Sequence, residues 1–139
     1  MTYSDIRTQL ERQGFCAYTV VGASMSPMLR QGQDVVMIRK KTAPPQVGDV
    51  VLYDWNGELT LHRIRAVGKQ GYRIRGDHSY TDHKNVPEQA VLGILEYYVR
   101  DGVKIDCATN KAYLRYVRRR TASYPIRWVI YKLLGKAQM

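Results

Sequence analysis

Three short segments carry the residue types that proton-transfer chemistry needs. Ser24 lies between a glycine and a proline in a segment that predicts an exposed turn, where backbone N–H groups can stabilise an oxyanion. His62 lies in an alternating stretch and shares a predicted strand face with Ile64. Asp77 and Asp82 follow in a polar loop. Together they supply the hydroxyl, imidazole and carboxylate of a nucleophile, its general base and an orienting group.

Each segment also has an interpretation without catalysis. The segment around Ser24 could be an ordinary Ser-Pro turn, and His62 could be a hydrogen-bonded core histidine. The polar loop could be held by Asx turns, or His78, Asp82 and His83 could bind a metal. No strong ligand spacing accompanies these three residues, so we expect neither a metal nor another cofactor.

The elements that would position these residues are mostly strands. A short helix over residues 4–13 is predicted first, with Ser4 as its cap and Gly14 as its stop. Runs rich in β-branched and aromatic residues then alternate with Gly, Pro and Asp, which predicts a mainly β domain with short hairpins, one of them at Asn56-Gly57. The predicted strands are residues 16–21, 34–39, 49–54, 60–67, 72–75, 90–99 and 103–106.

A strongly basic segment follows the β domain. Residues 107–139 hold eight basic and no acidic residues, and so carry +8 of the net charge of +10. We divide the chain into a β domain over 1–106 and a basic, amphipathic helical tail over 107–139. We expect one helix to about Arg120 and a second from Pro125 to near Gly135.

The tail has three interpretations. It could pack on the β domain with a solvated basic face, lie on an anionic membrane surface, or bind nucleic acid. No helix-turn-helix, zinc or RNP pattern occurs, which argues against nucleic acid.

Composition excludes several protein classes. The 139 residues, 45% apolar and 24% charged, indicate one globular domain and not a disordered chain. The longest apolar stretch is too short for a transmembrane helix, and the N-terminus lacks the apolar core of a signal peptide, so we expect a cytoplasmic protein. Cys16 and Cys107 fit reduced thiols. No pattern indicates an oligomeric state.

In order along the chain, the motifs resemble those of the S24/S26 serine peptidases, the family of signal peptidase I and the LexA-type proteases. The matching segments, between about Thr19 and Leu95, are GASMSPML, QDVVMIRK, VGDVVLY, LHRI, RGDHSYTDH and AVLGIL. The chain looks closest to small soluble bacterial members of the family. The resemblance implies the mainly β S24/S26 fold and a serine endopeptidase that cleaves a peptide or protein precursor.

The resemblance also implies roles for individual residues. Ser24, immediately before Met, matches the nucleophile. His62, in His-Arg-Ile, matches the base of the branch that resembles the endoplasmic-reticulum and archaeal signal peptidases. Asp82 is predicted to orient His62 and Asp77 to hold the loop in shape, and the reverse assignment is open.

Two positions depart from the family pattern. His78 stands where the family has the Asn of a Gly-Asp-Asn box. Gly22 stands where some signal peptidases have a hydroxyl that assists the oxyanion hole, so the hole would rely on backbone N–H groups, that of Ser24 among them. The predicted oxyanion and positioning residues are Gly22, Ala23 and Met25.

Two other function classes fit the same sequence. One is a peptide-binding module that keeps the peptidase fold without cleavage. The other is a basic lipid- or nucleic-acid-binding protein with the β domain as scaffold. If the tail binds lipid, the protein would be peripheral at the inner membrane face.

Overall fold

An antiparallel sheet of eight strands, curled on itself, forms most of the structure, which confirms the mainly β class predicted from the sequence. The structure is a computed structural model that describes the backbone of residues 2–134 and the side chains of residues 2–122. The strands are β1 Phe15–Thr19, β2 Val35–Lys40, β3 Val50–Trp55, β4 Glu58–Gly68, β5 Gly71–Arg75, β6 His83–Val86, β7 Val91–Arg100 and β8 Val103–Asp106. They follow the order β1-β2-β7-β3-β4-β5-β6 in the sheet, and β8 pairs with β7.

The first helix, α1 (Tyr3–Gln13), begins earlier than predicted. Its cap is Thr2, whose hydroxyl accepts the Asp5 N–H while the Asp5 carboxylate accepts the Thr2 N–H. This reciprocal capping box satisfies two backbone donors at once, so the predicted cap Ser4 is wrong. Gly14 ends the helix in the left-handed conformation, as predicted.

Strand β6 has no counterpart in the predicted strands. Its sequence, His-Lys-Asn-Val, is short and polar, and it shows no clear alternation. Its pairing with β5 places Val86 opposite Tyr72 and His83 opposite Ile74. The strand therefore forms because it pairs with β5, and this pairing cannot be predicted from the periodicity of its own sequence.

Strand β3 separates two apolar cores. Val50 and Leu52 face a larger core that also contains α1 residues, whereas Val51 and Tyr53 face a smaller core beside β5 and β6. Side chains alternate between the faces of a strand, so a strand buried on both faces can serve both cores. This explains why β3 is an almost continuous apolar run.

The second helix, α2 (Lys111–Leu134), is continuous where two helices are predicted. It begins after Asn110, whose side chain accepts the Tyr113 N–H. No glycine separates the two predicted segments, and the helix continues through Pro125. The predicted end near Gly135 lies outside the described residues. The division of the chain at residue 106 stays a prediction.

The start of α2 packs on the sheet. Tyr113 is buried in the larger core, and Tyr116 and Val117 contact it. No helix within residues 2–134 is both long and apolar enough to cross a membrane.

A buried ion pair joins α2, β4 and the loop over residues 76–82, which we call the 76–82 loop. The side chains of Arg63 and Asp77 are 0% and 1% exposed, and two N–H···O contacts of 2.9 and 3.0 Å connect them. Arg63 also donates to the Gly48 carbonyl at 2.7 Å. The Tyr116 hydroxyl donates to Asp77, and Arg120 donates to the Asp77 carbonyl.

We expect Asp77→Asn to lower the free energy of unfolding by about 3–5 kcal/mol, because the substitution leaves the Arg63 charge buried without its counterion. The measurement is the urea midpoint together with its slope. The matched control is Glu96→Gln in the exposed Arg39–Glu96 pair, where we expect a loss below about 1 kcal/mol. Equal losses in the two variants would contradict this account of the pair.

Candidate active site

Ser24 lies in a loop between β1 and β2, residues 20–34, that is held at both ends. We call this segment the Ser24 loop. The Gly32 N–H donates to the Val20 carbonyl at 2.8 Å, which closes the loop. Four apolar side chains of the loop, Val20, Met25, Met28 and Leu29, are buried in the larger core. The loop backbone is therefore anchored while Ser24 itself stays partly exposed.

Asp34 stabilises the far end of this loop, a role that the sequence does not indicate. Its side chain is 0% exposed and is bound by Arg30 and Arg100. Arg100 also donates to the Met28 carbonyl at 2.7 Å, which connects the Ser24 loop to β7. Burial opposes ionisation of Asp34, but the hydrogen bonds from Arg100 and Arg30 outweigh it and keep the pKa of this carboxyl below its usual value.

The three residues predicted to position Ser24, Gly22, Ala23 and Met25, differ in conformation, hydrogen bonding and burial. Gly22 has a φ of 82°, a left-handed conformation that favours glycine, and lines the cleft next to Ser24. The Ala23 carbonyl accepts the Ser26 N–H, which forms a turn around the nucleophile candidate. Met25 is buried, and its sulfur lies 3.4 Å from the Asp77 nitrogen.

His62 meets Ser24 across the sheet edge. Nε2 of His62 lies 3.0 Å from Oγ of Ser24, which is hydrogen-bond distance. His62 is half-buried and lies opposite Val51 in the β3–β4 register. The structure thus brings together the two residues that the sequence places 38 positions apart.

Gly76 permits this close approach. A Cβ atom at Gly76 would lie 2.5 Å from the Ser24 carbonyl oxygen and 2.9 Å from Cδ2 of His62. Such contacts are too close for any side chain, so glycine is required at this position by packing. The next residue but one, His78, donates its backbone N–H to the Ser24 carbonyl at 2.8 Å.

The two loop carboxylates have other partners than the imidazole. Asp82 accepts hydrogen bonds from Arg75 at 2.6 Å and from Arg65 at 3.1 Å. Asp77 is paired with Arg63 and acts on His62 only through its charge. The prediction that Asp82 directly orients His62, with Asp77 as the alternative, is therefore corrected, because arginines occupy the oxygens of both carboxylates.

The second nitrogen of His62 faces a tyrosine. Nδ1 lies 3.1 Å from the Tyr53 hydroxyl, which also lies 2.8 Å from Nδ1 of His83. The His83 ring stacks on Trp55 with 4.0 Å between centroids. Sequence reasoning missed Tyr53 because it lies in an apolar strand run, and it considered His83 only as a metal ligand. Among the described side chains, those of residues 2–122, no group of three or more His, Cys, Asp or Glu could hold a metal ion.

The surroundings of His62 keep the imidazole neutral. Burial and the nearby His83 lower the pKa of His62 to about 4, and the charge of Asp77 opposes this shift. Burial also lowers the pKa of His83. A neutral imidazole at hydrogen-bond distance from a serine can accept the hydroxyl proton at neutral pH.

A cleft of about 830 Å³ runs beside Ser24. It lies between β1 with the first residues of the Ser24 loop on one side and the beginning of β4 on the other. Its lining is mainly apolar, and Ser24 is among the lining residues. The large side chains that line it include Tyr3, Ile6, Tyr18, Val20, Leu59 and Leu61.

Residues 2–95 match the profile of a protein family described as Peptidase S24-like. No curated protein sequence matches the chain. The matched range contains the Ser24 loop, β4 and the 76–82 loop, and it ends within β7, ahead of α2. The match agrees with the family that the motif order suggests.

We expect the stability of the protein to rise with pH between about 4 and 6.5. The pKa of His62 is lowered from 6.5 to about 4 in the folded chain, so the unfolded chain binds more protons within this window. The full shift corresponds to at most roughly 3 kcal/mol, and His83 acts in the same direction. Urea midpoints at several pH values measure the slope.

The variant His62→Gln should have a smaller slope over that window. The control is His78→Gln, which replaces an exposed histidine of the 76–82 loop and should keep the wild-type slope. An unchanged slope in His62→Gln would show that the imidazole is not held neutral by burial.

Proposed function

The chain belongs to the S24-like peptidase family, and from this premise we propose that it is a serine endopeptidase with Ser24 as nucleophile and His62 as general base. The observation that carries the proposal is the 3.0 Å separation between Oγ of Ser24 and Nε2 of His62. The cleft beside Ser24 and the low pKa of His62 support it.

The proposed reaction has two halves. Oγ of Ser24 attacks the peptide carbonyl carbon while Nε2 of His62 takes the hydroxyl proton. The imidazolium then gives this proton to the leaving amine, and the C–N bond breaks to leave an acyl-enzyme. In the second half His62 takes a proton from water, the resulting hydroxide attacks the ester, and the proton returns to Ser24.

The tetrahedral oxyanion would be stabilised by backbone donors of the Ser24 loop. We assign the N–H of Ser24 itself to this role, since Gly22 has no hydroxyl to contribute. One donor of this kind is worth about 3 kcal/mol in the transition state.

The edges of the cleft favour an extended peptide as substrate. Among the described strands, β1 pairs only with β2, and residues 58–62 of β4 pair only with β3. A peptide inserted between these edges could form backbone hydrogen bonds with either strand and present its scissile bond to Ser24. The apolar lining favours small or apolar side chains facing the larger core.

We expect Ser24→Ala and His62→Gln to lower peptide cleavage by about 10³-fold or more, because each removes one partner of the proton transfer. The substrate is a peptide library made by digesting a proteome, and mass spectrometry detects the new termini. Labelling by a fluorophosphonate, in which Oγ displaces fluoride from phosphorus, gives a second readout.

The matched control is Ser26→Ala, which removes another hydroxyl from the same loop and should cleave like the wild type. Cleavage that survives Ser24→Ala would contradict the assignment of the nucleophile. Peptide binding that is equal in wild type and Ser24→Ala, with no cleavage by either, would favour the non-catalytic binding module.

A second proposal concerns the exposed face of α2. Four exposed basic side chains recur at helical spacing over its first turns, and no acidic residue occurs in residues 107–139. We propose that this basic stripe, Lys111, Arg115, Arg118 and Arg119, binds an anionic lipid surface. The protein would then be cytoplasmic and peripheral at the inner membrane face.

We expect the protein to float with vesicles that contain anionic lipid and to stay behind with neutral vesicles, because each cation near such a surface contributes about 1 kcal/mol. Replacing the four residues of the stripe with Gln should abolish flotation. The control replaces four exposed lysines outside α2, Lys40, Lys69, Lys84 and Lys104, and should float. Equal loss in both variants would show a general charge effect and contradict a specific surface.

A further inference from the structure

A line of hydrogen-bonding side chains runs from Ser24 into the smaller core. His62 bridges Ser24 and Tyr53 with distances of 3.0 and 3.1 Å at its two nitrogens. The Tyr53 hydroxyl continues the line to Nδ1 of His83 at 2.8 Å. Tyr53 is 0% exposed, so water does not compete for these contacts.

The proposed role of Ser24 as nucleophile determines the position of every proton in this line. Nε2 of His62 must be unprotonated to accept the Ser24 proton, so the ring proton of the neutral imidazole is on Nδ1. That N–H donates to the oxygen of Tyr53. The Tyr53 hydroxyl therefore donates to Nδ1 of His83, whose own proton is on Nε2.

We propose that Tyr53 and His83 are positioning residues that hold His62 in the Nδ1–H tautomer, in the place where a catalytic triad has a carboxylate. The proposal rests on the proposed function, because the tautomer matters only if Nε2 is the base. No proton moves beyond His62 in this scheme. The neutral phenol oxygen keeps its hydrogen bond to Nδ1–H when His62 becomes an imidazolium, and this contact stabilises the cation.

The chemistry of both residues suits a neutral role. Burial raises the pKa of Tyr53 well above its usual value, so the hydroxyl keeps its proton. Burial lowers the pKa of His83, which favours a neutral ring with one acceptor nitrogen. The neutral His83 ring can accept the hydroxyl proton of Tyr53 in a hydrogen bond, which directs that proton away from His62.

His83 is itself held in place from three sides. Its ring stacks on Trp55 with an interplanar angle of 3°, and its backbone lies opposite Ile74 in the β5–β6 register. Its neighbour Asp82 is clamped by Arg75 and Arg65. The carboxylate that sequence reasoning assigned to His62 therefore helps to fix the start of β6, and with it the ring of His83.

Tyr53 reaches His62 because of the strand register. Tyr53 lies opposite Thr60 in the β3–β4 pair, and His62 is two residues further along the same strand face. Side chains in this diagonal relation on neighbouring strands are within contact distance when one of them is aromatic. Tyr53→Phe thus removes one oxygen and leaves the ring that fills the smaller core.

The first test needs no substrate. Nitrogen-15 NMR of the histidine rings in the resting, full-length protein reports which nitrogen of His62 carries the proton. We expect Nδ1–H with an unprotonated Nε2 in the wild type, and a mixture of both tautomers in Tyr53→Phe. An Nε2–H tautomer in the wild type, or the same single tautomer in both proteins, would overturn the proposal.

The second test is kinetic and uses a peptide that the wild type cleaves. Tyr53→Phe should lower kcat by about 10- to 100-fold and leave KM within about twofold, because the hydroxyl contacts His62 and not the substrate. His83→Phe, which keeps the stacked ring but lacks an acceptor, should act in the same direction. His83→Gln offers an amide oxygen as acceptor to the Tyr53 hydroxyl, so its kcat should lie between those of His83→Phe and the wild type.

The control is Tyr97→Phe in β7, which removes a phenol outside this line and should not change kcat. An unchanged kcat in Tyr53→Phe, with the wild type active, would overturn the positioning role and leave the peptidase proposal standing. If the wild type cleaves no peptide, the peptidase proposal fails, and the tautomer measurement alone decides whether Tyr53 orients His62.

Discussion

The buried ion pair between Arg63 and Asp77 is the constraint on which the site geometry depends. Arg63 directly follows His62 on β4, and Asp77 directly follows Gly76, whose lack of a side chain permits the approach of Ser24 and His62. Two charges removed from water are tolerable only when they are paired and fully hydrogen-bonded, so this contact admits little variation in distance. The ion pair therefore fixes the positions of both His62 and the residues that contact Ser24. Helix α2 covers this pair, and its Tyr116 hydroxyl donates a hydrogen bond to Asp77.

The buried carboxylates are paired with arginines, whereas the two residues of the candidate dyad have uncharged partners. Asp34, Asp77 and Asp82 are each bound by arginine, and each bond fixes a loop or strand end near Ser24. The imidazole of His62 is left with neutral partners, a serine and a phenol. Burial disfavours the charged form of an imidazole, and a neutral partner does not offset this cost. The pKa of His62 is accordingly lowered. The site would thus have a base that is free at neutral pH without a carboxylate beside it.

Much of the fold could be predicted from local patterns, because alternation and turn residues act over a few positions. The strands from β1 to β5, β7 and β8 lie close to their predicted positions, and the mainly β class is confirmed. Strand β6 and the continuous α2 were not predicted. The strand is held by its pairing with β5, and the helix continues through a proline that local rules treat as a start, so neither follows from periodicity.

The sequence by itself indicated the two residues of the candidate dyad, because Ser24 and His62 lie in motifs whose order along the chain resembles that of the S24/S26 peptidases. Only the tertiary structure decided what lies on the far side of the imidazole. Asp82 has the residue type of an orienting group, but arginines from β4 and β5 bind its carboxylate. Tyr53 has the sequence context of a core residue, but its hydroxyl is the partner of the His62 ring. Residue type is local information, whereas a hydrogen-bond partner depends on strand register and on competition among all nearby charges, and both exist only in the folded chain.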